Sequence, residues 1–279
     1  MYLRFRWLLR TIERVLRVTY RRILNLPSDL YAWIYVMFRL NRVYHGLQFS
    51  GETQIWLLPR RLPVSRRLMS QPYRIPLSSI KWGGRPRGGK LRVGDGKGCG
   101  FIFDGDWDIE DKRNIEQYLL EYIYSRTVYQ LCRDNLPYDQ TDQFSEISRF
   151  VERGLVNEWQ ARGCRSKADI KYYFKKLQKT FKDIRIYGYK TQEELGSSRW
   201  FDEIKVFVDR NGELQKQQGA GHHRLAMVRI LEITEIPVLV IGVHRAWALQ
   251  AQCEIGEDIL TSIDIKIREM SECAHNDLS

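Results

Sequence analysis

The stretch IKVFVDRNGELQKQQGAGHHRLAMVRILEITEIPVLVI, residues 204–241, decides the fold. Ile204, Val206 and Val208 alternate with Lys205 and Phe207, the pattern of a half-buried strand. Asp209-Arg-Asn-Gly212 is turn chemistry, so Glu213–Gln218 pairs back as a short second strand. Gly219-Ala-Gly221 permits a sharp bend, after which Leu225, Val228 and Leu231 recur at helical spacing. Ile236-Pro-Val-Leu-Val-Ile241 closes the segment as a third strand. His222, His223 and Arg224 therefore fall on the first turn of a helix that springs from a glycine bend.

That position suits an anion. Free backbone N–H groups and the positive end of the helix dipole favour negative charge, and Arg224 can add a two-pronged bond to phosphate oxygens. An adjacent histidine can donate a hydrogen bond or shuttle a proton.

Upstream, Asp104, Asp106 and Asp108 alternate in FDGDWD like the opening of a calcium loop. Ile109 and Ile115 stand where an EF-hand needs Gly and Glu, so that motif fails. A single cation held by two of these carboxylates stays open, as does capping of a helix expected over about Lys112–Leu131. The middle of the chain reads as helical. Ile147, Phe150, Val151 and Leu155 form one stripe, and Ile170, Tyr173, Phe174, Leu177, Phe181 and Ile184 form a longer one behind the capping pair Ser166 and Asp169. Gly188 ends that helix, and Thr191-Gln-Glu-Glu194 repeats the capping-box pattern.

The first third differs in character. Residues 1–90 carry 18 Lys+Arg against 3 Asp+Glu, whereas residues 91–279 carry 27 against 31. Such asymmetry points to a basic surface that meets an anionic partner, membrane or nucleic acid. Over residues 1–24, Phe5, Leu8, Leu9, Ile12, Leu16 and Ile23 share one helical face and Arg6, Arg10, Arg14, Arg17 and Arg21 the other. A helix of this kind is either solvated on its Arg face or lies in a lipid headgroup layer. Pro27 and Ser28-Asp29 break the chain before a second apolar helix through Met37 and Phe38. The Gly- and Pro-rich run Trp82–Gly100 reads as a loop and a soft domain boundary, with no Gly-Lys-Ser/Thr ending to make it a phosphate loop. The longest uninterrupted apolar run, Leu30–Phe38, is far short of the ~18 residues a spanning helix needs. Five widely spaced cysteines with no CxxC pair read as reduced thiols, which places the chain in the cytoplasm.

The segment GAGHHRLAMVRILEITEIPVLVI is similar to the signature of the ParB/sulfiredoxin-like superfamily, in which a Gly-x-His-Arg or Gly-His-His-Arg turn precedes a helix and an Ile-Pro-Val strand. FDGDWD, Gly163-Cys164, GYKTQEEL and VHRAW resemble a branch of ParB-like proteins and extend the similarity to about Phe101–Trp247. Members include partition proteins that hydrolyse CTP, sulfiredoxins that use ATP, and kinases of free serine. The resemblance implies phosphate contacts for Gly221, His222, His223 and Arg224. Ala220 stands where the serine kinases place an Asp, and His222 where sulfiredoxins place their reactive Cys, which excludes sulfiredoxin chemistry there.

These readings combine into an α+β expectation: a small mixed-sheet unit over residues 201–279, a mainly helical region over 91–200, and a basic N-terminal region over 1–90. The expected function is nucleotide binding with ATP or another nucleotide and Mg²⁺, serving a phosphotransferase that acts on a small-molecule or membrane-linked hydroxyl. Glu203 or Asp202 replaces the missing acid, His223 moves the proton, Asp104 and Asp106 hold metal, and His244 and Arg245 line the pocket. A peripheral position at the inner membrane face follows from residues 1–24. The alternatives are a ParB-like DNA-binding, CTP-hydrolysing or nuclease-type protein, and a non-catalytic nucleotide sensor.

Overall fold

The computed structural model describes residues 72–84, 87, 88, 91, 92, 101–103, 105–109, 111–197, 202–217 and 221–276. All lie in the larger of the chain's two units, Arg39–Ser279. The expected helices of residues 1–38, together with Asp104 and Ala220, fall outside the described residues.

Within them the fold is α+β. The strands are β1 (Tyr73–Pro76), β2 (Ile80–Gly84), β3 (Arg87–Gly88), β4 (Leu91–Arg92), β5 (Ile102–Phe103), β6 (Arg113–Asn114), β7 (Ile204–Val208), β8 (Leu214–Gln217) and β9 (Glu235–His244). The helices are α1 (Ile115–Glu121), α2 (Ile123–Val128), α3 (Asp142–Glu152), α4 (Lys167–Tyr187), α5 (His222–Ile230), α6 (Arg245–Ile255) and α7 (Ile259–Asn276). A mixed seven-stranded sheet runs β1-β9-β7-β8-β2-β6, with β5 also on β9; β3 and β4 pair separately.

β9 organises the sheet. Every residue from Ile236 to His244 is buried, as expected of a continuous apolar run flanked on both edges. β7 pairs with it in parallel, Ile204 beside Val238 and Val208 beside Val243. The other edge is shared: β1 takes its beginning in antiparallel register and β5 its end in parallel. Phe103, Trp107, Phe207, Leu239 and Ile241 form one buried cluster. The strand–turn–strand–helix–strand order read from residues 204–241 is the order observed.

Four local expectations change. The run Trp82–Gly100 is not all loop: β2 enters it over Trp82–Gly84, and β1 before it and β5 and β6 after it belong to the same sheet. The helix expected over Lys112–Leu131 is broken at Tyr122, whose backbone is extended (φ −88°, ψ 118°). That break sets the Tyr122 ring 4.0 Å from the ring of His222. Capping there falls to Asn114, which accepts from the Glu116 N–H, and not to the aspartates of FDGDWD. Finally, the Thr191–Glu194 box closes reciprocally, with Thr191 N–H donating to Glu194 at 2.6 Å and Glu194 N–H to Thr191 at 3.0 Å. Among the described residues it caps only a turn, over residues 192–196.

Gly242 tests the packing of β9. A Cβ there would lie 2.5 Å from the Phe103 ring and 2.8 Å from the Phe207 ring. Two aromatic rings in a dense cluster have little room to retreat, so Gly242→Ala should destabilise by about 1–3 kcal/mol in urea denaturation.

Candidate functional site

Gly221 begins α5 with φ +73°, and a Cβ on it would meet the Ile204 Cα at 2.9 Å. Only glycine fits a left-handed bend pressed onto a strand backbone. The first turn of α5 thus sits over the start of β7, next to Asp202 and Glu203. As N-cap, a glycine offers the first-turn N–H groups no side-chain acceptor, which leaves that role to a ligand or solvent.

Basic groups gather around this turn. Lys216, on β8 opposite Val206, is fully buried. Burial and then the charges of Lys205 and Arg224 hold its amine well below the usual range. His222 is buried against the stacked rings of Tyr118 and Tyr122, at 5.7 Å and 4.0 Å. Burial, Lys216 and His223 keep it neutral. His223 Nε2 lies 3.1 Å from Gln143 Oε1 and 3.4 Å from the Tyr173 hydroxyl. Burial first, then Arg162 and Arg224, pull the His223 imidazole down to about 3. An imidazole so placed is a hydrogen-bonding group at neutral pH; a proton shuttle needs a pKa nearer the working pH.

Arg224 is already engaged. Its guanidinium donates to the Tyr189 hydroxyl at 3.2 Å, to the Asp202 carbonyl, and to Asp202 Oδ1 at 3.2 Å, with Glu203 at 3.5 Å. Glu203 is closed in: one carboxylate oxygen accepts from the Gln192 N–H and the other from the Tyr189 hydroxyl at 3.1 Å. Burial pushes its carboxyl up, against the pull of Gln192, Arg224 and Tyr189. With both oxygens occupied and no exposure, Glu203 positions Tyr189 and the loop before it. The half-exposed Asp202 is the more accessible carboxylate, so the acid–base role expected of Glu203 suits Asp202 better.

The other expected site residues stand elsewhere. β7 and β9 run parallel, and His244 lies just beyond the pair Val208–Val243, at the opposite end of the strands from Ile204. Four residues of strand, about 13 Å, separate the two ends. There His244 Nε2 bonds the Gly105 carbonyl at 2.9 Å while its Nδ1 accepts from the Ala246 N–H, capping α6. Arg245 opens that same helix. Asp106 bonds Arg210 at 2.7 Å, and the buried Asp108 takes four further bonds from Arg210. These aspartates tie the Asp209–Gly212 turn to the loop after β5. His244, Arg245 and Asp106 are therefore not brought to the Gly221 turn. Among the described residues, no group of three or more His, Cys, Asp or Glu side chains is arranged to hold a metal ion.

The sequence reading missed Lys216, Tyr189, Gln143, Tyr173 and Arg162. Lys216 did carry a signal, since it shares the strand face of the apolar Leu214 two residues earlier. The others come from distant helices and loops. Neither a family model, nor a curated protein, nor a solved structure matches the chain.

The neutral imidazole fixes a pH dependence. Unfolded, His223 takes a proton near pH 6.5; folded, it resists down to about 3. Between those values the unfolded chain binds more protons, so this stability is complete above about pH 6.5 and lost as pH falls toward 3. His223→Gln should flatten part of the slope of stability against pH between 6.5 and 4, to which the buried His222 also contributes. An unchanged slope in urea melts would refute the assignment.

Proposed function

We propose that the chain is a ParB/sulfiredoxin-like nucleotide-binding protein that holds the phosphates of ATP or another nucleotide on the first turn of α5. One observation carries the reading. Burial with Lys205 and Arg224 lowers the Lys216 amine, and burial with Arg162 and Arg224 lowers the His223 imidazole, so positive charge gathers at a helix start whose glycine N-cap offers no side-chain acceptor and where a negative charge is favoured. A polyphosphate supplies that charge, and it draws Arg224 from Asp202 toward its oxygens. The freed Asp202 can then take the proton of a substrate hydroxyl as a phosphoryl group is transferred. Mg²⁺ bound with the nucleotide would be held by the phosphate oxygens and would screen their charge, leaving Asp202 as the base.

A second reading, a non-catalytic nucleotide sensor, draws on a different observation. His223 is held neutral and both oxygens of Glu203 are taken, which leaves a single accessible carboxylate at the turn. Turnover that depends on Asp202 separates the two: Asp202→Asn abolishes transfer in the enzyme and leaves a sensor's nucleotide affinity nearly intact.

Two substitutions test the phosphate site itself. Arg224→Ala removes bonds to a charged group that contribute roughly 1.5–3 kcal/mol, so affinity for ATP or its relatives should fall about ten- to a hundred-fold. Lys216→Met exchanges a buried amine for a thioether of similar length. It should weaken nucleotide binding while circular dichroism shows the fold retained. Failure of the wild-type protein to bind ATP, CTP or GTP at millimolar concentration would refute the proposal.

Among the described residues no helix is long and apolar enough to cross a membrane. We assign residues 1–24 a peripheral role, with five arginines opposite an apolar face contributing roughly 1 kcal/mol each at an anionic lipid surface. The full chain should sediment with anionic vesicles in a salt-sensitive way, and the chain lacking residues 1–24 should not. Preference for DNA over vesicles at matched salt would favour the nucleic-acid alternative.

A further inference from the structure

Beside the α5 turn, α2, α3 and the short turn Trp159–Ala161 assemble side chains that the phosphate contacts do not use. Trp159 is 60% exposed, the largest side chain so placed among the described residues. Its ring lies 6.1 Å from that of Tyr124, and Tyr124 stands edge-on to His223 at 5.5 Å. Two ring-to-ring steps thus connect an open indole face to the first turn of α5. The Arg162 guanidinium sits 5.0 Å from the Tyr124 ring, held there by a left-handed backbone (φ +55°) that a residue with a Cβ rarely adopts.

The polar atoms of this corner are the second observation. Tyr124 Oη, Glu146 Oε2 and Gln160 Oε1 are shielded from solvent and have no hydrogen-bond partner among the described residues. Tyr124 is 5% exposed. Glu146 acts electrostatically on Tyr124 and is itself acted on by Arg162. Gln160 adjoins Trp159 in a turn that packs against α3, the helix of Glu146. Buried polar groups are nearly always bonded, so a cluster of three that are not marks a place where a ligand completes the bonding. A carboxylate oxygen and an amide oxygen only accept; what they lack is N–H donors. A flat ring carrying amino or ring N–H groups satisfies both the stacking face and the acceptors.

We propose that Trp159 and Tyr124 seat the base of the nucleotide whose phosphates lie on the α5 turn, and that Glu146 and Gln160 accept hydrogen bonds from its exocyclic amine. The assignment rests on the phosphate reading for the ligand's direction. It makes the Tyr124, Glu146 and Trp159–Arg162 segments the specificity determinants, and it favours amino-bearing adenine, cytosine or guanine over uracil. Uracil keeps a ring N–H but lacks the exocyclic amine, so at least one of the two acceptors stays buried without a donor, the situation in which a site discriminates strongly.

Calorimetry on the full chain tests this with adenosine, ATP, UTP and inorganic tripolyphosphate as probes. Trp159→Ala, a surface truncation, should lower ATP affinity about ten-fold or more and leave tripolyphosphate binding unchanged. UTP should bind more weakly than ATP to the wild type, and Glu146→Gln, with folding verified by circular dichroism, should narrow that gap. If Trp159→Ala binds ATP as well as wild type while Arg224→Ala does not, the base seat is overturned and the phosphate turn stands. If adenosine binds in a Trp159-dependent way but tripolyphosphate does not bind, the base seat stands and the phosphate turn fails. If neither adenosine nor ATP binds, both are overturned.

Discussion

Gly221 has no room for a side chain, because the backbone of Ile204 lies directly beneath it. That contact fixes where α5 starts, and most of the candidate site follows from it. A helix that begins there points its first N–H groups over the N-terminal end of β7 and places Arg224 beside Asp202 and Tyr189. The return strand β8, in register with β7, brings Lys216 to the same place from the other side. A side chain at residue 221 would face both a steric clash and a left-handed backbone, and the shift needed to relieve them would carry the three following residues away from their neighbours.

The two ends of β7 handle charge in opposite ways. At its C-terminal end, buried Asp108 is matched by Arg210, and Lys112 by Asp209 and Glu213 at 2.6 Å and 3.0 Å. Lys112 is held above its usual range by those two acids, although burial alone would lower it. At the N-terminal end, burial and then Lys205 and Arg224 lower the Lys216 amine, and burial and then Arg162 and Arg224 lower the His223 imidazole. Matched buried charges stabilise an arrangement of loops; like charges gathered in one place favour an anion. One strand therefore joins an end of paired opposite charges to an end where like charges gather.

Periodicity made the centre of the fold legible. Alternation in Ile204–Val208, a glycine turn, helical spacing in Leu225 and Val228, and the apolar run of Ile236–Ile241 are local patterns, and each became the element it describes. The glycine bend and the identity of the turn were legible for the same reason. The rest depends on contacts distant in sequence. Nothing near Asp108 announces Arg210, 102 residues on, so the sequence alone offers Asp104 and Asp106 as metal ligands or the group as helix caps. Tyr122 has ordinary helical neighbours, yet its packing against His222, 100 positions later in the chain, accompanies an extended backbone that ends α1. Thr191 and Glu194 satisfy each other as a capping box does, but local bonding alone does not propagate a helix.

The paired anchors at Tyr189 and Glu203 have a consequence for how the chain can vary. Glu203 bonds both Tyr189 and Gln192, and Arg224 holds Tyr189 and Asp202, so the stretch between Gln192 and Asp202, an excursion in sequence, begins and ends at a clamped neck. The entropy of closing such a loop grows only with the logarithm of its length, and a doubling costs about 0.6 kcal/mol. Insertions or deletions inside the excursion are thus thermodynamically mild as long as the neck residues keep their partners. The fold can change the length of chain beside its most crowded cluster of charges and leave the geometry of that cluster in place.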